Sequence, residues 1–313
     1  MKDTPLSNNE RSFVQGAMKS GLRVDGRGVY DFRRIRIAYQ PERGHVEVQL
    51  GRTRVMVQVS CELTKPFPDR PAEGAVQFNV ELSPMASPAF EPGRPSEQAI
   101  ELSRMVERVV KDSNAIDTTS LCVISGEAVW NIRVDLHALD HDGNLSDALC
   151  MAALAGLIHF RKPEVSMPSL SSGDESVAGN LIIHDVRERE PLPLSVHHMP
   201  LCVTFAFLDD GEHMVVDPTF QEERVAEGYL IVAMNIHREV CAVHKHGSVL
   251  LDASQISRCT KIAAIKVAEM TELLQKSIDE EEQLRANRRA GKAPAAAKSN
   301  KSTIFEYQGS IVQ

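Results

Sequence analysis

Residues 128–160 constrain the fold more than any other stretch. Trp130, Ile132, Val134 and Leu136 alternate with Asn131, Arg133, Asp135 and His137. A period of two marks a strand with one buried face, and core packing is the expected use of Trp130. Asp142-Gly143 then breaks the strand. Asn144 follows, with Asp147 three residues on, and an apolar run continues through Ala148, Leu149, Met151, Leu154, Leu157 and Ile158. This pattern predicts an N-capped helix. Because it is apolar nearly all round, it is expected at the centre of the domain. A glycine turn opening a helix is a ready anion site, since free backbone N–H groups point out of the first turn. A phosphate-using enzyme adds cations or hydroxyls there. Here the turn holds two carboxylates, Asp142 and Asp147, an apolar Leu145, and no Arg or Lys. The architecture suits phosphate and the side chains do not.

With 313 residues the chain has room for one large domain or two small ones. A net charge of −8 argues against diffuse nucleic-acid binding and leaves only a local basic patch for RNA. Six cysteines are widely spaced, mostly among apolar residues, with no Cys-x-x-Cys. Zinc and redox motifs are therefore not expected, and buried thiols in a reducing compartment are. No signal segment or membrane-length apolar run occurs, so the expectation is a soluble intracellular protein with no membrane partner.

Along the chain, Ser7 or Asn8 caps a predicted helix through Lys19, with Phe13, Ala17 and Met18 on one side. Strands are expected at 33–38, 45–50, 53–62 and 75–82, the middle pair joined at Gly51-Arg52. Residues 83–95 are too rich in proline for regular structure. An amphipathic helix is expected over 96–112, with Ala99, Leu102, Val106 and Val109 as its apolar stripe and Arg104, Arg108 and Lys111 beside them. Glu101 and Glu107 are available to pair with Arg104 and Lys111. A second hairpin, 119–125 with 128–139, precedes the central helix. A long connection over 162–193 leads to strands near 201–208, 214–216, 229–235 and 240–246. A helix over 253–278 closes that half, its stripe including Ile256, Ile262, Ile265, Val267 and Leu274. Both halves run strands and then a helix, which predicts an α+β fold of two pseudo-repeated strand–helix units of the ribosomal-protein-like β-α-β kind, roughly 22–160 and 194–278 within a 1–278 domain. Residues 279–313 read as a disordered charged tail, in which Ile304, Phe305 and Tyr307 are candidates for docking on a partner.

Four short motifs occur in order: Arg23-Val24-Asp25-Gly26-Arg27, Gly51-Arg52-Thr53-Arg54-Val55, Asp142-Gly143, and Asp217-Pro218-Thr219 with Glu222-Glu223. Together they make the chain, from about Leu22 to Gln275, resemble RNase PH and its relatives, the phosphorolytic 3′→5′ exoribonucleases. Residues 83–94 and 196–200 resemble the branch of eukaryotic RNA exosome ring subunits of the polymyositis–scleroderma autoantigen type. The resemblance implies the RNase PH-like fold and a phosphate attack on the RNA 3′ end. It puts Leu145 and Ser146 where active members hold phosphate with a Thr-Arg type pair. It puts Asp217 and Glu223 where they carry two acids that position a metal or act as a general acid.

These four are read as relic positions without activity, and no cofactor or metal is expected. The implied role is a non-catalytic subunit of a hetero-hexameric ring of RNase PH-like chains. Its implied companions are RNA-binding cap subunits, hydrolytic ribonucleases and single-stranded RNA. It implies rRNA processing and RNA decay in nucleus, nucleolus and cytoplasm, with Arg104, Arg108 and Lys111 turned toward the RNA channel. The alternative is an active phosphate-dependent exoribonuclease; a free-standing RNA-binding protein fits the acidic charge poorly. His197-His198 lacks a third ligand at evident spacing and reads as structural. Arg23, Asp25 and Arg27 read as a charged, hydrogen-bonded turn at a subunit edge.

Overall fold

Alternating apolar residues become strands, and the one helix that is apolar all round becomes the centre. A computed structural model describes residues 6–166, 181–185, 188–209, 211–289 and 303–307. In chain order these form α1 (Asn8–Lys19), β1 (Ile35–Tyr39), β2 (His45–Leu50), β3 (Thr53–Thr64), β4 (Ala75–Leu82), α2 (Glu97–Glu107), β5 (Cys122–Ile124), β6 (Ala128–Asp140) and α3 (Leu145–His159). Two-residue strands β7 (Arg161–Lys162), β8 (Val165–Ser166), β9 (Ile182–Ile183) and β10 (Leu192–Pro193) follow. The second half holds β11 (Leu201–Leu208), β12 (His213–Val216), α4 (Phe220–Val225), β13 (Gly228–Met234), β14 (Val240–Gly247), α5 (Ala253–Arg289) and β15 (Thr303–Tyr307).

The larger sheet runs β15-β1-β2-β3-β6-β4, with β5 also on β6. Only β4 lies parallel to its neighbour, with Val80 opposite Leu136, and α2 makes the crossover. The smaller sheet, β12-β11-β13-β14, is antiparallel throughout. Helix α3 lies between the sheets, against β2 and β3 on one side and β11 on the other. The other face of β11 is covered by α1 and α4, where Ala206 and Leu208 meet Val14, Met18 and Val225, so all eight of its residues are buried. Close packing sets the residue at Gly156, where a Cβ would lie 2.7 Å from a Val57 methyl. Trp130 is buried on its strand as expected.

Several boundaries differ from the sequence expectations for tertiary reasons. On α1 the buried residues are Val14 and Met18, while Phe13 faces outward. Helix α2 widens into a π turn over Arg108–Asp112. Thr119–Leu121 is a 3₁₀ turn, so the second hairpin is short. On α5 the buried line is Cys259, Ala263, Val267, Met270, Leu274 and Ile278, and Ile256 and Ile265 are exposed.

The expected charged tail is corrected in two places. Helix α5 continues past Ile278 to Arg289 because Arg285 donates to the carbonyls of Gln40 (2.6 Å) and Pro41 (2.9 Å) and to Glu281 (2.6 Å). Composition alone misses such contacts. Strand β15 then pairs with β1, Phe305 opposite Ile37, and Phe305 meets Tyr39 edge-on at 5.8 Å. The docking of Phe305 is thus within the chain. Residues 290–302 and 308–313 of the expected tail lie outside the described residues.

Candidate functional site

The turn that opens α3 is tied to the loop before α4. Gly143 has φ +86°, and a Cβ there would meet the Phe220 nitrogen at 2.5 Å, so only glycine lets the two backbones meet. Asn144 and Asp217 both sit in the left-handed region, at φ 52° and 51°. Backbone strain of this kind persists only when many contacts fix it. Here the contacts are explicit. The Asn144 side chain caps α3, accepting from the Asp147 N–H at 3.4 Å and donating to Asp147 (2.8 Å) and Asp217 (2.7 Å).

Arg33, just before β1, brings to this turn the cation that its own sequence lacks. All five of its side-chain N–H donors are spent: two on Asp217 (2.8 and 3.0 Å), two on the carbonyls of Asp142 (2.7 Å) and Gly143 (3.1 Å), and one on Thr53 Oγ1 (3.3 Å). Thr53 in turn donates to the Gly143 carbonyl at 2.7 Å. Asp217 is fully buried and receives further bonds from the Arg33 backbone N–H (2.8 Å) and Arg27 (3.0 Å). Burial opposes its ionisation, but the guanidiniums of Arg33 and Arg27 outweigh it and hold its carboxyl below the usual range. Each Asp217 oxygen already faces N–H donors, an arrangement that repels a cation.

Glu223 occupies the anion position. Its carboxylate accepts the Asn144 N–H at 2.7 Å, at the mouth of the helix N-terminus. Burial raises its pKa to about 7, with Asp217 and Asp142 adding to the rise. Asp147 is buried and likewise raised to about 7, although Thr204 binds it through both N–H (3.1 Å) and Oγ1 (2.7 Å). Arg23 is buried against Glu222 (2.5 and 2.9 Å) and the carbonyls of Val216 and Asp217. The Arg23–Arg27 turn is therefore a bonded support of the site. Beside Glu223 opens a cavity of about 500 Å³, lined in part by Phe90, Arg94, His141 and Phe220.

The model of domain 1 of the 3′ exoribonuclease family matches residues 31–163, and that of domain 2 matches residues 198–266. The chain belongs to the 3′ exoribonuclease (RNase PH) family. Exosome complex component RRP45 of Bos taurus is 50% identical over 285 residues, 91% of this chain. The chain spans about 63% of the length of that relative. RRP45A of Arabidopsis thaliana is 42% identical over 294 residues, 94% of each chain. The Archaeoglobus fulgidus exosome with RNA bound to the active site superposes with a TM-score of 0.73 at 32% identity, over 85% of this chain and 97% of that one.

In this RNase PH family chain the site sits where the two matched domains meet. Asn144 and Asp147 come from the first; Thr204, Asp217 and Glu223 come from the second. The structure brings Asp217 and Glu223 together around Asn144. Leu145 does not belong to that cluster, because its side chain is buried in the core; Ser146 is half-buried beside it. Arg33, Thr53 and Thr204 are the residues that sequence reasoning passes over. Thr53 carries a signal: it is a polar residue in register with the inward face of β3.

The α2 stripe is exposed at Arg104, Arg108 and Lys111. Lys111 pairs with Glu107 at 2.7 Å. Glu101 binds His244 at 3.1 Å in place of the expected Arg104. Among the described residues Arg104 and Arg108 form no salt bridge, and both line a cavity of about 330 Å³. His197 is exposed, with its backbone N–H on the Ala115 carbonyl, and the His198 ring lies 3.9 Å from Cys241 Sγ.

Proposed function

We propose that this chain is a non-catalytic RNase PH-like subunit of an RNA exosome ring. In that role it scaffolds the assembly and lines a channel for single-stranded RNA during 3′→5′ processing and decay. One observation carries the loss of activity: the phosphate position at the start of α3 is filled from within. Glu223 takes the Asn144 N–H, and Arg33 has no donor left for a ligand. A phosphate dianion entering there meets Asp142, Asp147 and Glu223 at low dielectric, with no unspent guanidinium donor from Arg33.

The names of the relatives support the ring assignment, and the exposed Arg104 and Arg108 support RNA contact without sequence readout. The reading extends to other RNase PH-like subunits as neighbours, to cap subunits and hydrolytic ribonucleases as companions, and to residence in nucleus, nucleolus and cytoplasm. The test has two arms. Isolated protein given single-stranded RNA, phosphate and magnesium should release no nucleoside diphosphate. Tagged protein recovered from cells should bring stoichiometric RNase PH-like chains. Turnover that survives repurification and vanishes in Glu223→Ala returns the alternative, an active phosphate-dependent exoribonuclease. Recovery as a lone monomer overturns the ring assignment.

A further inference from the structure

Helix α2 and strand β14 are far apart in sequence and bring three metal-type donors to one spot. Glu101 stands on the exposed side of α2. His244 and His246 are two residues apart on β14, so both rings leave the same face of the strand. Glu101 Oε1 lies 3.1 Å from His244 Nε2 and 3.5 Å from His246 Nδ1. All three ligand atoms fall within 4.8 Å of one another.

The spacing suits a shared cation as well as it suits an ion pair. Tetrahedral zinc with bonds of about 2.0–2.1 Å holds its ligand atoms about 3.3 Å apart, and the two Glu101 distances bracket that value. Two imidazoles converging on one carboxylate oxygen also exceed what a single surface pair needs. Both supports are rigid. Strand β14 is laddered to β13, with His246 opposite Tyr229, whose ring lies 6.5 Å from the imidazole. Helix α2 is capped by Ser96, whose hydroxyl accepts the Ala99 N–H. Donors on laddered and capped elements are held in place before a metal arrives. Neutral imidazoles with one carboxylate suit zinc and neighbouring first-row divalent ions, and disfavour magnesium and calcium.

We propose that Glu101, His244 and His246 bind one Zn²⁺ on the α2–β14 face, each giving one ligand atom and leaving the fourth position to solvent. Partial exposure of all three side chains gives the ion access. Arg104 and Arg108 share a cavity with Glu101 and His244, and their charge holds the affinity to a moderate range. The sequence expectation of no metal rests on Cys-x-x-Cys and His197-His198. It misses a site whose signal is only His244-x-His246 on a strand.

The experiment uses untagged full-length protein, stripped with chelator and titrated with Zn²⁺ by calorimetry. One equivalent should bind with a micromolar or tighter Kd. The double variant His244→Ala, His246→Ala should bind at least tenfold more weakly, and Glu101→Gln should also lose affinity. His197→Ala should change nothing. Zinc-edge X-ray absorption on the loaded wild type supplies a reading that needs no variant, and should show two imidazoles and oxygen ligands, with no sulfur. No uptake at micromolar Zn²⁺ overturns the assignment. So does binding that survives the double substitution, or a spectrum without imidazole.

Discussion

Arg33 and the pair Arg104 with Arg108 are the same residue type in opposite circumstances. Arg33 is buried, and each of its five donors has an acceptor within the chain. Arg104 and Arg108 are exposed and, among the described residues, carry no salt bridge. The first is committed to holding a turn, and the second pair has no ionic commitment among the described residues. A basic residue near a phosphate-shaped turn therefore says little about phosphate until its donors are counted. The exposed pair has lower local cost and more binding capacity, because no folding contact depends on it.

The largest effect expected from breaking this contrast is at Arg33. Arg33→Met leaves Asp217 buried beside fewer donors and strips two carbonyls, a change that costs about 3–5 kcal/mol. Denaturant unfolding measures it, and a loss below about 1 kcal/mol would show that the clamp holds little. Replacing Arg104, Arg108 and Lys111 together by Glu probes the opposite side. Stability should stay within about 0.5 kcal/mol, while RNA binding by the reconstituted ring weakens for any sequence. Its log–log salt slope should fall by roughly one unit for each phosphate contact removed. Unchanged affinity and slope in a normally assembled ring make the stripe a solvated face.

A smaller effect concerns Glu223. Burial raises its carboxyl from 4.5 to about 7, so the folded chain holds a proton that the unfolded chain releases between those values. That contribution to stability is full below about pH 4.5 and is lost as pH rises through about 7. Glu223→Gln keeps the acceptor for Asn144 and should flatten the fall by less than about 1.4 kcal/mol per pH unit, since the group is partly exposed. Unfolding midpoints from pH 4 to 8 decide it, and an unchanged pH slope removes Glu223 as its source. The smallest effect is Lys111→Ala, which breaks an exposed i,i+4 pair worth about 0.3–0.5 kcal/mol. A loss above about 1 kcal/mol would mean that Lys111 belongs with the structural cations.

Most of the fold is legible in the sequence because it rests on local periodicity. The alternation in β6, the glycine at Gly51 and the N-cap Asn144 each act within a few residues. The illegible parts depend on long-range contacts. Arg285 reaches Gln40 and Pro41, and this decides where α5 ends. The candidate site divides the same way. The lack of Arg or Lys at residues 142–147 is plain in the chain, and Asp217 and Glu223 enter through the resemblance. Arg33 carries no local mark, because the four residues its side chain bonds lie between 20 and 184 residues away.

Strand β15 has a consequence for how the molecule meets other chains. An outer strand of a sheet offers a row of unpaired amides and carbonyls on which any extended peptide can grow. The outward ladder of β1 is already taken by β15 from Thr303 to Tyr307. Among the described residues β15 is then the outer strand of this sheet, so an extended peptide adding to this flank would pair with Thr303–Tyr307 and not with β1. On the same flank Arg34 and Arg36 both pair with Glu306, which offsets one of the two positive charges that a visitor would otherwise meet.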